Sequence, residues 1–186
     1  MPWLALALVC AAVPSSARQS AADPIPWSAT RKLDWRDFRA KAPGELAGAR
    51  SMLKYSYSIG CRDGQLHATI STLFLPDQSW VAYRIVSSGL ASPLGLRHEQ
   101  THFDLKEVYA RRVRRMFAEL SSPCPRSDGE LFAMAERMFR QEAAGQKLFE
   151  DETQSGTIEA RQLNWEKRVA ADLEALRAFA APASGL

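Results

Sequence analysis

His98, Glu99 and His102 are the residues of this chain whose types and spacing could do chemistry, gathered in the run His98-Glu99-Gln100-Thr101-His102. On a helix, two imidazoles four residues apart stand nearly one above the other and can offer one nitrogen each to a single tetrahedral ion. Glu99 lies one residue round. Its carboxylate is placed to take a proton from zinc-activated water and to pass it to a leaving amine. The chain has three histidines, and two of them fall in this motif. The expectation is a Zn2+ site ligated by His98 and His102, with Glu99 as catalytic base of an HExxH hydrolase.

A catalytic zinc site takes a third protein ligand and leaves one position open. His67 falls among alternating residues of a strand candidate and is expected to face outward. Asp104 and Glu107 lie too close along the same helix to converge on the ion, and suit orienting a ligating imidazole instead. A carboxylate from Glu150-Asp151-Glu152, expected between the second and third helices, can approach from outside. Glu150 leads these candidates, followed by Asp151 and the Ser155 region.

The elements that must position these groups follow from periodicity and punctuation. Ser92 and Pro93 form an N-cap and first helical residue. Positions 98, 102, 105, 109, 113, 116 and 120 then make one helix face. Pro123 and Pro125 end that helix, and Ser127 with Glu130 predicts a capping box opening a second helix to about Phe149. A third helix, from about Ile158 to Phe179, carries Trp165, Val169, Leu173 and Leu176 on one side. Upstream, Met52 to Ile59 and Leu66 to Leu75 read as strands joined at Arg62-Asp63-Gly64, with a further strand from Trp80 to Val86. Leu33-Asp34-Trp35-Arg36-Asp37-Phe38 reads as a turn or short strand at the edge. The fold class is α+β: a small antiparallel sheet, a long motif helix and two further helices, in a zincin-like arrangement.

With 186 residues, 46% hydrophobic and 24% charged, the chain suits one core. Residues 1–22 read as a signal peptide, from the apolar run Trp3 to Val13 and the small residues after it. Residues 23–180 form the single expected domain, and 181–186 a frayed tail. Export implies a periplasmic or secreted protein in which Cys61 and Cys124 pair as a disulfide. No other stretch approaches the roughly 20 apolar residues of a membrane span. The net charge of +3 gives no warrant for a nucleic-acid partner. Arg111-Arg112 with Arg114-Arg115 reads as a solvated helix face. The partners expected are protein or peptide substrates, cell-wall peptides included; the alternative is a non-catalytic envelope protein that keeps the fold for structural or partner-binding use.

Leu33-Asp34-Trp35 with Phe38, Ser79-Trp80-Val81, His98 through Asp104 with Tyr109-Ala110-Arg111, and Thr153 and Gly156 before Trp165 carry a family resemblance. In these residues the chain resembles the bacterial domain-of-unknown-function family 922, described as secreted zinc-dependent proteases. The resemblance implies a zincin-like helix, a metal and export, without an established substrate. One departure stands out. The family's late motif has an Asp after an aromatic and a His before the glycine, where this chain has Phe149-Glu150 and Ser155-Gly156. Glu150 can replace the Asp as a ligand; Ser155 cannot replace the His.

Overall fold

The computed structural model describes residues 22–44, 48–82 and 93–181. Strand β3 (Leu53–Arg62) and strand β4 (Gln65–Phe74) form a regular antiparallel hairpin from Leu53↔Phe74 to Arg62↔Gln65. Asp63 and Gly64 make its two-residue turn, both with positive φ (53° and 75°), the conformation that suits the right-handed twist of a tight hairpin. Strand β1 (Ile25–Pro26) pairs on the far edge of β4. Strand β5 (Trp80–Val81) does not extend this sheet. It pairs with β2 (Ala49–Arg50) as a separate two-stranded ribbon, and the rest of the strand expected to Val86 lies outside the described residues. The segment around Trp35 is a 3-10 turn, Trp35–Asp37, closed by a capping box between Asp34 and Asp37.

Helix α1 (Pro93–Ala118) begins at the expected proline; Ser92, its expected cap, lies outside the described residues. Helix α2 (Asp128–Thr153) opens with the expected Ser127–Glu130 capping box but runs one turn past Phe149. The acidic cluster is therefore the last turn of α2, not a linker. Helix α3 (Glu159–Ala175) is followed by a 3-10 turn, Arg177–Phe179. The observed architecture is α+β, with a small antiparallel sheet and three helices.

α1 is the hub. Ile59 and Ile70 of the hairpin pack with Val113 and Phe117 of α1 and Leu131 of α2. Leu105 and Val108 meet Phe149 of α2 and Trp165 and Val169 of α3. Phe103, on a third side, packs against Leu33, Phe38 and Phe74. Because α1 is covered on several sides, the single inward stripe expected from periodicity understates its burial. The same enclosure corrects the basic run. Arg111 is buried and Arg114 nearly so, both bonded to buried Glu107, whose other oxygen accepts from Thr72 Oγ1 at 2.9 Å. Arg115 alone of that run is exposed as a solvated face requires; Arg112 is half-buried, bonded to Asp172 and lying over the Tyr109 ring. Buried charges persist in proteins when paired in this way.

Cys61 and Cys124 form the expected disulfide, tying the tip of the hairpin to the loop between α1 and α2. Among the described residues, no helix is long and apolar enough to cross a membrane.

Candidate metal centre

The i, i+4 spacing on α1 stacks His98 and His102 as the sequence requires, and the extra turn of α2 brings Glu150 to them. Glu150 Oε1 lies 2.9 Å from His102 Nε2 and 3.5 Å from His98 Nε2, and the two Nε2 atoms are 3.1 Å apart. With zinc as the yardstick, bonds of about 2.0–2.1 Å in a tetrahedron put ligand atoms about 3.3 Å apart. The observed triangle brackets that value. These three side chains form a group able to hold a metal ion.

The tautomers follow from the surrounding amides. Gln146 Nε2 donates to His102 O at 3.0 Å and to Glu142 at 2.8 Å, so its oxygen is the atom facing His102 Nδ1 at 2.6 Å. Gln162 Nε2 likewise donates to Thr101 Oγ1 at 3.0 Å and to Glu166 at 2.9 Å, leaving its oxygen 3.1 Å from His98 Nδ1. Each Nδ1 must therefore carry the hydrogen, and in the neutral ring each Nε2 turns a lone pair toward Glu150. Three electron-rich atoms held this close require a positive centre between them, either a proton or a cation. Burial by itself would lower the pKa of His102, but hydrogen bonds to Glu150 and Gln146 and the charge of Glu99 raise it above its ordinary value. Hydrogen bonds from His102 and His98 hold Glu150 far below the usual carboxylate range, against the opposing effect of its partial burial.

Phe149 walls the site, stacked on His98 with ring centres 4.6 Å apart and edge-on to His102 at 4.7 Å. Behind His98 lies Gly156, with φ +77° in the turn after α2. A Cβ there would stand 2.8 Å from His98 Cγ. Glu99 is buried beside the ligands, and its Oε2 accepts the Ser51 N–H at 2.8 Å. A cleft of about 290 Å³ opens in front, where Ser51, Met52, Glu99, His102, Lys106 and Glu150 contribute to the lining.

The other candidates lie elsewhere. His67 is exposed on β4, as expected. Asp151 pairs with Lys147 on the exposed side of α2, and Ser155 is exposed in the following turn. Asp104 and Glu107 do not orient the imidazoles. Asp104 accepts from Trp27 Nε1 at 2.7 Å and from Gln100 at 2.8 Å, which anchors the N-terminal segment. Glu107 serves the buried arginines. The orienting residues are Gln146 and Gln162, which sequence reasoning missed. A signal existed: Glu142, Gln146, Phe149 and Thr153 recur at helical spacing, which puts polar residues on the inward stripe of α2.

Neither a family model, nor a curated protein, nor a solved structure matches the chain. The likeness noted above rests on its motif residues alone.

Proposed function

We propose that this chain is a zinc-dependent peptidase, exported to the periplasm or secreted, with His98, His102 and Glu150 as ligands and Glu99 as general base. The observation that carries the reading is the convergence of three ligand atoms at zinc-like spacing beside a buried carboxylate at the edge of a cleft. Two imidazoles and one carboxylate form a donor set typical of catalytic zinc. When bound, zinc would supply a Lewis acid that acidifies water and polarises a scissile carbonyl.

The chain's own residues supply the rest. The Ser51 N–H fixes Glu99 through Oε2, which leaves Oε1 to receive a proton and return it to a departing amine. Gln146 and Gln162 hold the imidazole tautomers, and Phe149 keeps water from the apolar side of both rings. The wall of the cleft at Ala49–Leu53 offers the surface along which a peptide would lie. The Cys61–Cys124 bridge supports an oxidising compartment, and with it export.

The test is Glu99→Gln, which keeps an oxygen for the Ser51 N–H but cannot take a proton. The expected result is wild-type zinc content with turnover of peptide or cell-wall-peptide substrates reduced roughly 10²–10⁴-fold. A variant of undiminished activity would remove Glu99 from the mechanism. A wild-type protein that binds zinc without turnover on either substrate class would favour the non-catalytic envelope role.

A further inference from the structure

Each ligand histidine is backed by the same three-part chain. His102 Nδ1 donates to Gln146, Gln146 Nε2 donates to Glu142 Oε1 at 2.8 Å, and Glu142 Oε2 accepts from Lys106 Nζ at 3.1 Å. His98 Nδ1 donates to Gln162, Gln162 Nε2 donates to Glu166 Oε1 at 2.9 Å, and Glu166 accepts from Arg97 Nε at 3.1 Å and Nη2 at 2.7 Å. In both chains the amide and the carboxylate stand four residues apart on one helix, α2 in the first case and α3 in the second. In both, the cation comes from α1, one turn beyond His102 or one residue before His98.

We propose that Glu142 with Lys106, and Glu166 with Arg97, are positioning residues that fix the sense of the Gln146 and Gln162 amides and so impose the metal-ligating tautomer on both histidines. The inference rests on the metal-site reading given above. An amide can turn either end to a neighbouring imidazole, because oxygen and NH2 occupy nearly the same space. Turned the wrong way, it would donate to Nδ1, move the ring hydrogen to Nε2 and occupy the lone pair a metal needs. A carboxylate only accepts, so the NH2 end must face it. The lysine and arginine donate to these carboxylates and hold them in place. The remaining amide hydrogens are also taken, by His102 O in one chain and by Thr101 Oγ1 in the other, whose own hydrogen goes to Arg97 O at 2.7 Å. Neither amide has a second stable orientation. Packing alone asks for neither pair: the buried Lys106–Glu142 could be exchanged for apolar residues at little cost, and the part-exposed Arg97–Glu166 contributes little by itself. Their repetition behind both histidines, at the same remove, is what a tautomer lock needs.

The experiment compares zinc affinity, by competition with a chromophoric chelator, in wild type, Glu142→Gln, Glu166→Gln and the swapped double variant Gln162→Glu/Glu166→Gln. Long-range 1H–15N spectra of the zinc-free proteins at alkaline pH report the histidine tautomers. Each single variant is expected to lose roughly ten- to a hundredfold in zinc affinity without touching the ion, the usual scale for outer-shell partners. Glu166→Gln should give mixed tautomers at His98 and leave His102 unchanged. The swapped variant, with an acceptor-only group returned to position 162, should recover both affinity and tautomer. Glu166 is part-exposed, so its variants keep the test open should Glu142→Gln fail to fold. Unchanged affinity and tautomers in Glu166→Gln, with zinc bound by wild type, would overturn the inference and leave the metal reading intact. A wild-type protein that takes up no zinc would overturn both.

Discussion

Gly156→Ala, compared with Gly64→Ala, separates backbone strain from damage to the proposed metal centre. Both glycines have nearly the same positive φ, +77° and +75°, so each alanine meets the left-handed penalty of roughly 1–2 kcal/mol. Around Gly64 nothing lies within 4 Å of the new Cβ, and the penalty ends there. At Gly156 the Cβ would fall 2.8 Å from His98 Cγ and 2.9 Å from Nδ1, against ordinary contact from 3.4 Å upward. The ring must give about 0.6 Å, more than the ~0.5 Å that a preorganised site tolerates. It is held by Phe149 on one side and Gln162 at Nδ1, so overpacking adds roughly 1–3 kcal/mol. The sum for Gly156→Ala is about 2–5 kcal/mol, or a Tm lower by roughly 4–20 °C at 2–4 °C per kcal/mol. Thermal unfolding in chelator and zinc competition are the assays. Gly64→Ala should lose no more than the strain and keep wild-type zinc affinity; Gly156→Ala should lose more stability and at least tenfold in affinity. Equal stability losses with equal zinc affinity would refute the account of Gly156 as the backing of His98.

The His102–Glu150 pair fixes the sign of a pH effect. Its folded-state stabilisation is present above the ordinary Glu value of 4.5, vanishes as Glu150 protonates in acid, and is also lost as pH rises through the elevated pKa of His102. A zinc ion bound at His102 would displace its proton, so the Tm gap between zinc-loaded and chelated protein should widen from about pH 6 to about pH 8; a gap that narrows would contradict the proposed ligand role of His102. Cleaving Cys61–Cys124 opens a loop spanning 63 residues, worth up to about 4 kcal/mol in chain entropy. Zinc affinity should survive that loss, because the bridge lies at the opposite end of α1, roughly 25 Å along the helix from the histidines. Glu107→Gln strips the charge from a carboxylate serving Arg111 and Arg114 and should cost about 3–5 kcal/mol in denaturant unfolding.

The histidine helix, the hairpin turn and the Ser127 cap were legible because each depends on residues within a few positions of one another. Glu150 was found as a candidate but misplaced, since the nearest breaker, Gly156, comes only after the helix has ended; the chain leaves α2 through Gln154 and Ser155 in left-handed conformations that sequence patterns seldom signal. The basic run misled for a different reason. Arg111 and Arg114 owe their burial to Glu107 beside them and to the carbonyls of Leu173 and Ile70, partners 62 and 44 residues away. Gln146 sits on a readable helical stripe, but a neutral amide has no motif, and Gln146 and Gln162 meet their imidazoles only once α2 and α3 respectively have packed on α1. The ribbon of β2 with β5 depends on pairing across 30 residues, which no local alternation encodes.

The anchoring of the N-terminal segment bears on the order in which the molecule can assemble. Trp27 donates to Asp104 and the Leu33 N–H donates to Gln100, contacts that join residues 77 and 67 positions apart. Both acceptors occupy the motif helix itself. A chain emerging from its N-terminus exposes Trp27 and Leu33 long before that helix exists, and both must wait unpaired in solvent. Contacts of such long sequence separation close late and slowly. Early arrival of these two apolar side chains thus creates an interval in which a holding factor, or crowding by other chains, can decide between folding and aggregation.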